Sequence, residues 1–177
     1  VDRYVTWKRG VALALLCGVI AAIFAFSSQS YQAQNIQPFL KHALSKETAE
    51  RIIPNLNIRY DGKSYQRDVN PFGLIEFLFR KGAHLFVYGS LASAAALVLR
   101  TFRARESVAV SLSLLAVLIV ASLDEWNQRY SSERTPTVQD IFVDLIGGLI
   151  GLAICYAISR LFRRARRAYS LRSRRDR

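Results

Sequence analysis

Apolar residues gather in four long blocks, Val11–Phe26, Gly82–Leu99, Val108–Leu123 and Ile141–Ile158, separated by polar and charged sequence. Each block approaches the ~20 residues a helix needs to cross a bilayer once its flanking turns are counted. None contains a proline. Four such helices buried in a soluble core would need far more amphipathic covering sequence than 177 residues leave. The pattern predicts an all-α fold, an integral membrane four-helix bundle with spans at about 8–28, 80–100, 107–124 and 139–160. The chain reads as a single membrane domain over 1–177. The first block follows Lys8 and Arg9 as a signal peptide would, but no small-x-small cleavage pattern comes after it, so a retained span is expected.

Between the first two spans, residues 29–79 are neither apolar nor of low complexity. Ser45 followed by Lys46-Glu47-Thr48 predicts a capped short helix. Ile58-Arg59-Tyr60, Asp61-Gly62 and Lys63-Ser64-Tyr65 predict a hairpin around a type I′ turn. Asn70-Pro71 reads as a cap and first residue of a helix that runs unbroken from Phe72 through Leu99. That length exceeds a bilayer, so its first turns, with Phe72, Phe77 and Phe79, are expected at headgroup depth.

Charge then supplies an orientation. The net charge is +12. The N-terminus, the 100–106 loop and the tail from Arg160 carry fifteen Lys/Arg against three acids, whereas residues 27–81 and 124–144 balance ten against ten. The whole excess lies on one side, which the positive-inside rule makes cytoplasmic, with both termini there and residues 29–79 outside. The tail, 161–177, is rich in Arg. Placed directly after a span, such a cluster reads as an anchor to an anionic inner leaflet rather than as a nucleic-acid surface. Cys17 and Cys155 both fall within spans, without metal-ligand spacing, and imply packing rather than a disulfide.

The unusual polar residues all fall at the outer ends of the spans. Ser28 and Gln29 end the first. Arg80, Lys81, His84 and Tyr88 open the second, with Glu76 just before them. Asp124, Glu125 and Gln128 end the third, Arg134 lies in the following loop, and Asp140 and Asp144 open the fourth. Lys81, His84 and Tyr88 share one helical face, and Glu76, Arg80 and His84 a neighbouring one. Several have plain structural readings: Thr137-x-x-Asp140 fits a capping box, Gly147-x-x-x-Gly151 is a helix-packing motif, and Glu76 and Arg80 can pair along their helix. His84 and Asp144 fit that account less well, because ionisable groups at the hydrocarbon edge are costly unless paired or functional. An ion-pair network that ties helices together is the structural alternative.

Phe26-Ser27-Ser28-Gln29, Arg80-Lys81-x-x-His84-x-x-x-Tyr88, and Glu125-x-x-Gln128 with Arg134-x-x-Thr137-x-x-Asp140 and Gly147, Gly148 and Gly151 follow in order over nearly the whole chain. Together they resemble the VanZ-like family, named for a teicoplanin-resistance protein of Gram-positive bacteria. The resemblance implies a small multi-pass protein of the bacterial plasma membrane with an envelope-related role, including glycopeptide (teicoplanin) resistance. This chain has Asp144 where the family pattern usually carries Asn.

Two function classes follow. The first is an outer-face enzyme acting on an envelope lipid or glycan precursor. His84 with Glu125 or Asp124, and Asp140 nearby, would do acid–base work, and Arg80, Lys81 and Arg134 would hold a phosphate or developing anion. Gln128, Ser28, Gln29, Tyr88 and Asp144 complete the candidate binding set. The second is a non-catalytic protein that binds such a lipid or a glycopeptide antibiotic at the same cationic cluster. A transporter fits less well, because no charge occupies the middle of a span. A metal centre of His84, Asp140 and Asp144 is a weak signature, and no motif names a cofactor or an oligomeric state. The membrane lipids themselves are the expected surroundings. The orientation is testable: an impermeant thiol reagent should label Ser64→Cys in intact cells and Arg172→Cys only after permeabilisation, and the reverse pattern would move the polar cluster to the cytoplasm.

Overall fold

The computed structural model describes residues 2–128 and 137–175, with side chains for 5–128 and 137–166. In chain order the elements are α1 (Asp2–Ser27), α2 (Tyr31–Gln34), α3 (Gln37–Ala43), α4 (Lys46–Ile52), β1 (Asn57–Tyr60), β2 (Lys63–Gln66), α5 (Pro71–Thr101), α6 (Glu106–Gln128) and α7 (Val138–Arg175). Four helices are long and apolar enough to cross a membrane: Val5–Ser27, Pro71–Thr101, Glu106–Gln128 and Val138–Arg166. Large apolar side chains such as Leu112, Leu115, Ile119, Phe142, Leu149 and Ile154 point out of the bundle uncovered. In water such a surface would drive aggregation, whereas hydrocarbon solvates it without cost. The protein is therefore a multi-pass membrane protein with a mostly helical fold.

α5 is the central helix, packed on α1, α6 and most extensively α7. A cluster of Ile23, Tyr88, Leu91, Ala92, Ala96, Val117, Val120, Ala121 and Leu152 fills the middle. Small residues let the helices approach closely, which is how association proceeds where lipid removes the hydrophobic driving force. The closest approach joins α5 to α7. A Cβ on Gly147 would lie 2.6 Å from the Leu85 carbonyl oxygen, and one on Gly89 would lie 2.9 Å from that of Gly147. One on Gly151 would overlap the Gly89 backbone.

The segment between α1 and α5 caps one end of the bundle. Ser45 accepts from Thr48 N (3.2 Å) and starts α4. Asp61 and Gly62 both have positive φ (50° and 69°), the type I′ geometry that pairs Tyr60 with Lys63 and Ile58 with Tyr65. Asn70 accepts from Gly73 N (3.0 Å), and Pro71 opens α5. Two elements lie beyond the sequence-based expectation: α2, capped by Ser30, and α3, with Pro38 in its first turn. α7 also outruns its expected end near residue 160, continuing helical through Arg175. Its 38 residues span roughly 57 Å, well over the hydrocarbon thickness. Phe72 is buried within the protein rather than set at a headgroup boundary, while Phe79 is exposed.

Candidate functional site

At the hairpin end of the bundle, the α5–α7 contact runs on as two polar pairs. Beside Leu85 on α5 and one turn before Gly147 on α7, His84 Nδ1 meets Asp144 Oδ1 at 2.9 Å. One turn further, Lys81 Nζ pairs with Asp140 Oδ1. The same oxygen accepts the Tyr60 hydroxyl from β1, and Lys81 lies over the Tyr60 ring at 4.2 Å. Asp61 N also donates to Gln139 Oε1 (3.3 Å), which seats the hairpin on the start of α7. Burial, and then the hydrogen bond to Asp140, push the Tyr60 phenol well above its ordinary range, so it stays a proton donor at any physiological pH. Phe77 stacks on Tyr65 at 4.2 Å and meets the Tyr60 ring edge-on, which fixes the hairpin over α5.

α6 and the preceding segment supply the other walls. Gln128 Nε2 donates to Asp124 Oδ2 (3.1 Å), and Glu125 Oε2 accepts from Thr137 N (2.8 Å). On α5, Glu76 accepts from Gln37 Nε2 of α3 (2.6 Å), and Arg80 lies over the Tyr31 ring of α2 (5.3 Å). Burial and the negative charge of Glu76 raise the Tyr31 phenol. Tyr88 is stacked under His84 with ring centres 6.1 Å apart.

Two clefts open among these residues. The first, of about 290 Å³, lies beneath the hairpin between Tyr31, Tyr65 and Phe77, with Glu76, Lys81 and Asp140 in its walls. The second, of about 390 Å³, is mainly apolar and lies between the end of α1 and α5, where Phe26, Phe79 and Val87 line it. Arg80, His84 and Gln128 line both.

The structure thus brings Arg80, Lys81, His84, Tyr88, Asp124, Glu125, Gln128, Asp140 and Asp144 to one end of the bundle. Gln29 lines the apolar cleft. Ser28 donates to Phe24 O (2.7 Å) and accepts from Asn127 (3.3 Å), which accounts for it as a helix-end residue. Arg134 lies outside the described residues. Three pairings differ from expectation. His84 takes Asp144 rather than Glu125 or Asp124, because α5 abuts α7 at this depth. The Thr137–Asp140 capping box is not formed: Thr137 N goes to Glu125, and the Asp140 carboxylate goes to Lys81 and Tyr60. Glu76 likewise bonds Gln37 and makes no ion pair with Arg80. Tyr60 is legible in the sequence only as a strand residue of the hairpin, and Tyr31 and Gln37 have no signal beyond lying in the 29–79 segment.

Among the described residues, five carboxylates (Glu76, Asp124, Glu125, Asp140, Asp144) face Arg80, Lys81 and His84. Asp140 already neutralises Lys81, and Arg80 makes no ion pair among the described residues. Asp124 and Asp144 are 3% and 1% exposed. Asp124 Oδ1, Glu125 Oε1 and the Tyr88 hydroxyl are buried without a hydrogen-bond partner of ordinary geometry there. Orphaned buried polar atoms are costly, and they are what a ligand's polar groups would satisfy. No group of three His, Cys, Asp or Glu among the described residues is arranged to hold a metal ion.

Fold and site together define a small polytopic membrane protein with a polar cleft walled by three of its spans and roofed by a hairpin. The chain belongs to the VanZ/LLP1 family, whose model matches residues 12–162. No curated protein and no solved structure matches it.

The Lys81–Asp140 pair is nearly buried, its side chains 19% and 16% exposed. Removing one partner strands the other, whereas removing both does not. Lys81→Met alone should lower the melting temperature in detergent, and Lys81→Met with Asp140→Asn should recover most of the loss. The double-mutant cycle should give about 2 kcal/mol of coupling, and additive effects would mean the pair does not form.

Proposed function

We propose that this protein binds the head group of an anionic envelope lipid or lipid-linked glycan precursor at the hairpin end of its bundle, and that this end faces the outside of the bacterial plasma membrane. The convergence of Arg80, His84, Glu76 and Asp140 in the walls of one cleft supports the reading. Arg80 is the cation left for a phosphate oxygen, since its planar guanidinium suits that geometry. The surrounding carboxylates suit hydroxyl donors, and Tyr31, Tyr65 and Phe77 offer ring faces to a sugar's C–H face. A sugar phosphate carries all three features. The near-zero charge of residues 27–81 and 124–144, against the basic remainder of the chain, supports the orientation.

The His84–Asp144 pair favours a reaction over binding alone. A buried carboxylate at Nδ1 orients the ring and leaves Nε2 for proton exchange with a ligand in the clefts that the ring lines. The non-catalytic version keeps the head-group site and drops the proton transfer. Glycopeptide resistance follows in either case if the bound precursor is altered or withheld from the antibiotic, and a glycopeptide held directly at the site is the alternative ligand.

The test is teicoplanin susceptibility in a sensitive strain expressing the protein. His84→Gln, Glu125→Gln and Arg80→Gln should each return susceptibility to the empty-vector level while membrane abundance and melting temperature stay unchanged. If the cluster is only a structural network, the same changes should lower the melting temperature, and protection should track the amount of folded protein. Equal protection per folded molecule in all three would end the reading. A His84→Gln protein that still binds a sugar phosphate yet fails to protect would mark the reactive version.

A further inference from the structure

The two clefts share Arg80, His84 and Gln128, and they differ sharply in character. The one under the hairpin is polar and aromatic. The other runs down between α1 and α5, in the membrane-spanning part of the fold, lined by side chains such as Ile23, Phe26 and Val87. Its polar lining includes Tyr88 and Asp124, 2% and 3% exposed, a phenol and a carboxylate set beside each other, with no hydrogen-bond partner of ordinary geometry for Oη and Oδ1 among the described residues. An apolar cleft meant only for bulk acyl chains has no use for such atoms, which are expensive in hydrocarbon. They lie where the linkage between a head group and its chain would sit.

We infer that the two clefts are one binding site for a single amphiphile, a phosphate monoester or diester of a long hydrocarbon chain, with its head under the hairpin and its chain between α1 and α5. The inference rests on the head-group reading and adds to it the substrate class and the route of entry. Arg80 stands at the junction and holds the phosphate. The Tyr88 hydroxyl donates to the ester oxygen, and Gln128 bridges the head to Asp124. The chain leaves sideways through the α1–α5 gap, so the ligand enters from the bilayer and never has to leave it.

A dodecyl phosphate carrying a diazirine at mid-chain tests the inference on the full chain in neutral phosphatidylcholine nanodiscs. Adducts should concentrate on Ile23, Phe26 and Val87. Ala83→Trp fills the apolar cleft from an exposed position on α5, where a larger side chain meets no core, and should cut that labelling at least tenfold with an unchanged melting temperature. Ala83→Leu should give an intermediate loss. Arg80→Gln should also cut it, and dodecanol with the same diazirine should label the lipid-facing surface without preference. Adducts spread over Leu112, Leu115 and Ile150, indifferent to Ala83→Trp, would overturn the inference. If glycerol phosphate still bound in an Arg80-dependent way, the head-group reading would survive that result. Cleft labelling that persisted in Arg80→Gln would instead show a chain site uncoupled from any anionic head, and both readings would fall.

Discussion

Helices α5 and α7 meet backbone to backbone at Gly89, Gly147 and Gly151, where no Cβ fits. Everything at the hairpin end is downstream of that contact. In a parallel pair such as this, a fixed point of closest approach sets which residues face each other on either side of it. Here it places Leu85 against Gly147, His84 against Asp144 and Lys81 against Asp140 in successive steps. A larger residue at Gly151 would push the helices apart or slide them, at a cost typical of overpacking, about 1–3 kcal/mol. The glycines therefore contribute register, and the register puts an imidazole and an ammonium beside two carboxylates at the edge of the apolar region.

That placement is expensive unless each polar group is matched. Asp140 is matched twice, by Lys81 and by Tyr60, and the hairpin that carries Tyr60 is held by Phe77 and Gln139. Asp144 is matched by His84. Asp124 and Glu125 are matched on one oxygen only, and Tyr88, set beside Asp124, makes no hydrogen bond of ordinary geometry among the described residues. A purely structural network would be expected to close its own hydrogen bonds, since partly satisfied networks lose stability relative to apolar packing. Tyr88 and Asp124 line the apolar cleft, and that is the physical ground for reading the cluster as a ligand site.

Much of this was legible in the sequence, for identifiable reasons. The spans follow from apolar run length, the hairpin from Asp61-Gly62, and the start of α5 from Asn70-Pro71, all local signals. The gathering of polar residues at one end followed from their positions relative to the runs. Their partners did not. Helical spacing puts His84 on a face but says nothing of which neighbour abuts it, so Glu125 and Asp124 were as eligible as Asp144. The roof was equally hidden: Tyr60, Tyr31 and Gln37 reach the site only because three short elements fold back over the bundle, two of them helices of seven residues or fewer with weak signals. The continuation of α7 past residue 160 reflects Arg and Ala, good helix formers that a reading by charge treats only as a tail.

The most direct measurement of the central claim is the imidazole ¹⁵N spectrum, because the chain has only two histidines, His42 and His84. Hydrogen bonding to Asp144 marks His84 Nδ1, and the glycine contact is what holds the two side chains together. Gly151→Leu should erase that Nδ1 signature and leave His42 unchanged. Gly148→Ala, which meets only side chains of Val117 and Leu114, should leave both signals in place. A His84 signal that keeps its Asp144 hydrogen bond in Gly151→Leu would contradict the account, because the register of the site would then owe nothing to the glycine contact.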